Sequence, residues 1–182
     1  VLEHTDIIPD HSTMSLVALP EGKLLGGTTT GPGTGGEVKA TEAQMYIMDM
    51  ETKTLEWQAV VFPGVQSYSD MILAPGGLVY GVADLVRFFV FDPVKREVIH
   101  EENLEGSLGR TASQQQARIF VMAPDNVLYM LFAKGIARVD YSTHGITLLA
   151  ESPVLIGPGG TYLDGRLYFG SGSHVYSYTV PE

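Results

Sequence analysis

A short pattern occurs four times along this chain, and an internal repeat constrains a fold more tightly than composition does. ALPEGKLLGG, residues 18–27, is matched by LAPGGLVYGV (73–82), MAPDNVLYML (122–131) and YLDGRLYFG (162–170). Each copy sets a small turn between two apolar runs: Glu21-Gly22, Gly76-Gly77, Asp125-Asn126 or Asp164-Gly165. Gly, Asn and Asp accept the left-handed backbone that tight hairpins need, so each copy reads as strand–turn–strand. A third strand follows each hairpin: MYIMD (45–49), FFVFD (88–92), IARVD (136–140) and HVYSY (174–178). The first three end in Asp49, Asp92 and Asp140, whose carboxylates suit a turn because they accept from the backbone two residues on. A fourth strand comes after three of these turns: TLEWQAVVF (54–62), REVIHEE (96–102) and GITLLAE (145–151).

Four short antiparallel strands per unit of about 40 to 50 residues is the period of propeller blades. The predicted fold is therefore all-β: a β-propeller of four four-stranded antiparallel blades, at about 11–62, 66–102, 115–151 and 155–182. No segment reads as a regular helix. Residues 103–116 read as a loop, with a single helical turn as the alternative. The last unit lacks its outer strand, while VLEHTDIIP (1–9) matches TLEWQAVVFP (54–63) in its Leu-Glu, its ring, its apolar pair and its proline. The N-terminal strand is thus expected to complete the last blade, which closes the sheet edge that would otherwise stay open. It can do so in cis within one chain or in trans within a homodimer. The chain starts at Val1 and not at methionine, so a piece of a longer propeller is the third arrangement.

LYFGSGSHVYSY, GLVYGVADLVRFFVFDP and NVLYMLFAKGIARVD resemble the repeats of quinoprotein-type and related bacterial propellers. In those, a strand ending in Asp or Asp-Pro leads through a turn to the outer strand. The resemblance spans essentially the whole chain and implies a fold. Enzymes, sensors and scaffolds share its motifs, and it transfers no catalytic residue. The Trp-Asp and Gly-His signatures of the WD40 class are absent. The resemblance also implies that ligands lie over the central channel. Loops joining second to third strands, and outer strands to the next inner strand, ring that mouth.

Loops carry function more often than the strands beneath them. The second-to-third stretches are TTTGPGTGGEVKATE (28–42), VADLV (82–86), FAKGI (132–136) and GSGSH (170–174). They offer Glu37, Lys39, Glu42, Asp84, Lys134, Ser173 and His174. The other loop set offers His11, Ser67, Tyr68, Asp70, Arg110, Gln114 and Gln116. The 28–42 insert enlarges one blade only and is rich in glycine, which lets backbone amides approach a ligand closely. It lacks the Gly-Lys-Ser/Thr of a phosphate loop. Tyr68 offers a face for a sugar or flat ligand. Trp57 is expected between neighbouring blades, and His4 and His100 are expected to face solvent.

The net charge of −10 argues against nucleic acid and anionic membrane as partners. The absence of cysteine removes disulfide frameworks, thiolate metal sites and a Cys nucleophile, and it fits a soluble protein of either the cytoplasm or the exterior. No histidine pair has metal-ligand spacing, so neither a metal site nor a cofactor is predicted. The leading function is a non-catalytic module binding a small molecule, a sugar or a protein at the channel mouth. One alternative is a propeller-type lyase or hydrolase. There His174 is the base, Arg110 or Lys134 stabilises negative charge, and acidic groups hold a divalent cation. The other alternative is a structural segment of a larger propeller. An enzyme requires His174 within reach of Arg110, Glu37 or Asp84; a binding module requires an open polar rim.

Overall fold

The computed structural model describes residue 4 and residues 7–32, 35–111, 119–157 and 159–181. Among these the chain forms fifteen strands and no helix. The first sheet contains β1 (Ser12–Leu19), β2 (Lys23–Thr29), β3 (Met45–Asp49) and β4 (Thr54–Ala59). The second contains β5 (Tyr68–Leu73), β6 (Val79–Ala83), β7 (Arg87–Asp92) and β8 (Glu97–Asn103). The third contains β9 (Phe120–Met122), β10 (Leu128–Phe132), β11 (Gly135–Val139) and β12 (Ile146–Glu151). The fourth contains β13 (Gly160–Leu163), β14 (Arg166–Ser171) and β15 (His174–Thr179). Every sheet is an antiparallel meander in sequence order. Residues 112–116 of the expected loop lie outside the described residues. Just before them, Leu108 N donates to Leu104 O at 2.8 Å, a single helical-type turn.

The turns form for the reasons the sequence offers. Glu21, Asn126 and Asp164 take positive φ at the hairpin tips. Asp92 Oδ1 accepts Val94 N at 2.9 Å and Lys95 N at 3.0 Å. Asp140 Oδ1 accepts Ser142 N at 2.8 Å, and Asp49 Oδ1 accepts Thr52 N at 2.8 Å. The Ser142 hydroxyl, which donates to Asp140 Oδ1 at 2.6 Å, and the Ser142 amide hold the Asp140 carboxyl below the usual carboxylate range, and the Thr52 amide and hydroxyl do the same for Asp49.

Each sheet buries both faces where it has a neighbour on each side. The first and second sheets enclose Val17, Leu25, Ile47, Phe62, Tyr68, Phe89 and Phe91. Trp57 lies on Phe91 at 5.5 Å between ring centroids, the inter-sheet place expected for it. The second and third sheets enclose Tyr80, Phe88, Val90, Met130 and Phe132. The third and fourth enclose Tyr129, Leu131, Leu167 and Phe169. Sequence alternation is broken at the first strands. Register shifts between Thr13 and Ser15, and between Tyr68 and Asp70, insert one residue into β1 and β5. A bulge of this kind re-aims the side chains beyond it. Tyr68 and Met71 consequently share one core, although their spacing would put them on opposite faces.

Cross-strand pairs three residues before the turn Asp show how the interior is filled. In the first sheet Gly26 faces Tyr46, and in the second Gly81 faces Phe89. A Cβ on Gly26 would lie 2.0 Å from Tyr46 Cζ, and one on Gly81 2.2 Å from Phe89 Cζ. In the third sheet the sizes are exchanged, with Met130 facing Ala137.

Successive first strands touch, β1 with β5, β5 with β9, and β9 with β13, and among the described residues the four sheets do not close into a ring. Residues 1–3, 5 and 6 of the expected closing strand lie outside the described residues. Ile7 and Ile8 pack on Tyr46 and Met48 of the first sheet. Among the described residues the fourth sheet has three strands, with β15 at its edge.

Candidate functional site

Loops between second and third strands gather at one end of the sheets, together with the loops that lead into each next sheet. Hydrogen bonds tie the two sets together. Thr30 N donates to Gln66 O at 2.9 Å, Ala43 N to Val65 O at 2.7 Å, Thr111 N to Leu85 O at 2.9 Å and Ala133 N to Arg110 O at 3.0 Å. This is the end at which the mouth is expected, and several of its polar side chains are used to build it.

Glu42 Oε1 accepts Gly64 N at 2.6 Å, and the Glu42 carbonyl accepts from His11 Nε2 at 2.8 Å. Asp84 Oδ1 accepts both Gln66 N and Ser67 N at 2.9 Å. The Asp84 carboxylate thereby fixes the path into β5, and its own backbone adopts a positive φ of 47° to reach it. Asp70 Oδ2 accepts Ile119 N at 2.7 Å and Phe120 N at 3.3 Å, a staple from β5 to the start of β9. Ser15 stands at the equivalent position of the first sheet, and its Oγ donates to Tyr68 O at 2.9 Å. Three carboxylates singled out as ligand groups thus receive main-chain N–H groups, a partnership that holds a carboxylate firmly in place.

Tyr68 requires correction. Its side chain is 0% exposed, wedged between Phe62 and Phe89 at 6.4 and 5.9 Å, so it has no face to offer a ligand. The bulge after it turns the ring inward. Burial pushes its hydroxyl up to about 12, offset in part by the backbone of Phe62 and Val61. His100 is also not turned to solvent. Its ring lies 6.0 Å from Phe88 and 6.2 Å from His144, and its Nε2 is buried. His144 in turn meets the Tyr80 hydroxyl at 2.9 Å.

The remaining candidates form the exposed rim. Glu37 and Lys39 are exposed in the insert, and Lys39 Nζ lies 3.7 Å from Asp10. Arg110 pairs with Glu105 at 3.4 Å and donates to Asp84 O at 3.4 Å. Lys134 is exposed, with its stem over Gly109. Ser173 and His174 are exposed at the β14–β15 turn, where Ser173 Oγ and His174 Nδ1 are 3.4 Å apart and the His174 ring is 6.2 Å from Tyr176. The contacts of His174 and those of Arg110 are therefore separate sets. Gln114 and Gln116 lie outside the described residues. Among the described residues no three His, Asp or Glu side chains converge to hold a metal ion.

Gln66 is a hub that sequence reasoning passed over. Its Nε2 donates to Thr41 O at 2.8 Å and Gly64 O at 3.1 Å, and its Oε1 accepts from Thr30 at 2.9 Å. Only its place two residues before Tyr68 distinguishes it, which is too little to find it by.

No protein-family profile matches the chain, and no curated protein matches it in sequence. Solved structures do. The β-propeller domain of Cps50 (Swd1) from Myceliophteria thermophila superposes with a TM-score of 0.66 at 14% identity, over 94% of this chain and 52% of that one. BamB from Moraxella catarrhalis does so at 0.60 and 15% identity, over 92% of this chain and 46% of that one. The computationally designed protein Ika4 scores 0.57 at 14% identity, over 93% of this chain and 92% of that one. The architecture is that of a β-propeller. At these identities the likeness carries the fold alone, and it points to no particular bacterial family. The chain spans about half the length of the natural propellers it matches here.

Proposed function

We propose that this chain is a non-catalytic protein-interaction module, part of a propeller ring whose first and last sheets share a blade. Its binding surface is the rim formed by the insert and by Arg110, Lys134, Ser173 and His174. One observation carries the reading: the Glu42, Asp70 and Asp84 carboxylates are engaged by main-chain N–H groups. They build a rigid platform, and the groups left outward are a mixture of both charges. Interspersed charge around a rim suits recognition of a protein surface, where it sets register and suppresses wrong partners.

Affinity capture tests this with three chains: wild type, the triple variant Lys39→Ala/Arg110→Ala/Lys134→Ala, and Lys95→Ala in the β7–β8 turn at the opposite end. The expected result is a protein retained by wild type and by Lys95→Ala, and lost from the triple variant. Equal retention by the triple variant overturns the assignment of the surface. Turnover of a small molecule that disappears in His174→Ala replaces the reading with the lyase or hydrolase alternative.

A further inference from the structure

His11 stands where the chain enters β1, between that segment and the insert. Its two ring nitrogens meet oxygens of the same kind. Nδ1 lies 2.8 Å from Pro9 O, and Nε2 lies 2.8 Å from Glu42 O. A carbonyl oxygen only accepts, and a neutral imidazole carries one N–H and one lone pair. Either neutral tautomer therefore sets a lone pair against one of the two oxygens. The imidazolium carries an N–H on each nitrogen and satisfies both at once. A hydrogen bond from a charged donor is also about twice as strong as one from a neutral donor.

The surroundings hold both oxygens in place. Pro9 O is presented by a turn in which His11 N donates to Ile8 O at 3.4 Å and Asp10 takes a φ of 61°. Glu42 is held from its other side: its Oε1 accepts Gly64 N at 2.6 Å, and Ala43 N donates to Val65 O at 2.7 Å. With both oxygens fixed, the charge state of the ring decides whether the second bond is made. The ring is half-buried and borders a cavity of about 520 Å³ with Thr13 and Thr28, so protons from solvent reach it. Among the described residues, the charged groups on the segments that meet at the ring are Asp10, Glu37, Lys39 and Glu42. That balance is acidic, so a proton gained by the ring meets no excess of like charge. Lys39 Nζ reaches Asp10 at 3.7 Å, but both side chains are more than half exposed, and such a pair contributes little. The bond from His11 to Glu42 is the stronger tie between the same two segments.

We propose that His11 is a proton-operated clasp: on gaining a proton its ring bonds Pro9 O and Glu42 O together and fixes residues 35–42 of the insert, and on losing it one bond is given up and the insert loosens. The sign follows from the donors. The clasp is complete at low pH and is lost as pH rises through the ordinary imidazole range, about pH 5–8. The insert belongs to the rim of the proposed function, so the proton sets how firmly that rim is presented. That consequence rests on the binding reading; the clasp itself does not.

The test is the mobility of a spin label on the insert. The chain has no cysteine, so Val38→Cys, at a side chain 67% exposed, takes a single nitroxide. Electron paramagnetic resonance spectra are compared at about pH 5 and about pH 8, with far-ultraviolet circular dichroism verifying the fold at each pH. In the labelled chain the ratio of fixed to mobile label is expected to fall about tenfold from the lower pH to the higher. His11→Phe has no ring N–H and is expected to give the mobile spectrum at both. His11→Gln donates but does not titrate, and its spectrum is expected to be the same at both. His4 lies in the open groove of about 220 Å³ that Leu16, Leu24, Tyr46 and Met48 also line, and His4→Phe is expected to keep the full change. Equal mobility of the labelled chain at the two pH values overturns the proposal. So does a change of opposite sign, a change that persists in His11→Phe or His11→Gln, or one that vanishes in His4→Phe. No partner is present in this measurement, so failure of the binding reading leaves its outcome unchanged.

Discussion

Removing the Asp70 carboxylate should loosen the second and third sheets from one another. Its Oδ2 accepts two N–H groups, Ile119 at 2.7 Å and Phe120 at 3.3 Å, the first well made and the second weak. A hydrogen bond to a charged group contributes about 1.5–3 kcal/mol, and a buried amide left without a partner costs about 1–3 kcal/mol. Ile119 is buried, so Asp70→Ala strands its amide away from water. Taking one full bond and a fraction of a second gives a loss of about 3 kcal/mol. Asp70→Asn keeps an oxygen acceptor at the same place and should lose about 1 kcal/mol. Ser15→Ala, at the equivalent position, removes one neutral bond to Tyr68 O and should also lose about 1 kcal/mol. Urea unfolding measures all three. With a slope of about 2 kcal/mol/M, Asp70→Ala moves the midpoint down by roughly 1.5 M. If Asp70→Ala unfolds within about 0.5 kcal/mol of wild type, the carboxylate is not a staple and returns to the pool of ligand groups.

Two further outcomes follow from the core. Gly81→Ala forces its methyl into Phe89, which is held between Phe62 and Tyr68, and should cost about 3 kcal/mol or roughly 6–12 °C in thermal midpoint. Gly26→Ala should cost less, because the Tyr46 ring borders the open groove and has room to shift; equal losses would refute that account. Tyr68 ionises near 12 when folded against about 10 when unfolded, so its contribution is complete below pH 10 and is lost as pH rises through 12, on the order of 2–3 kcal/mol in all. Tyr68→Phe should flatten this alkaline loss in urea titrations at pH 9 and pH 12, leaving the part due to Tyr80, which burial likewise raises to about 12. An unchanged loss in Tyr68→Phe contradicts the burial argument.

The strands were legible because hairpin turns and period-two alternation are local signals. The turn role of Asp49, Asp92 and Asp140 was legible because it acts within three residues of chain. The inter-sheet place of Trp57 followed from its position on an outer strand. What escaped was everything decided by a neighbour distant in sequence. The bulge that turns Tyr68 inward has no residue signature. Asp70, Asp84 and Glu42 looked like ligand groups because a sequence does not reveal which amides wait opposite a carboxylate. Gln66 looked like any loop residue, and His100 looked like an outward-facing one, because both are defined by the loops or rings that reach them.

Gly26 with Tyr46, Gly81 with Phe89, and Met130 with Ala137 occupy one structural position in three sheets, yet no residue is common to all three at either site. What persists is a volume shared across two strands, one large side chain and one small, in either order. The unit under constraint is thus the pair, and its two members are free to exchange sizes together but not singly. A comparison that scores one position at a time registers this as unrelated sequence. That is one physical route by which sheets of nearly the same shape, within this chain or between it and other propellers, come to share so few identical residues.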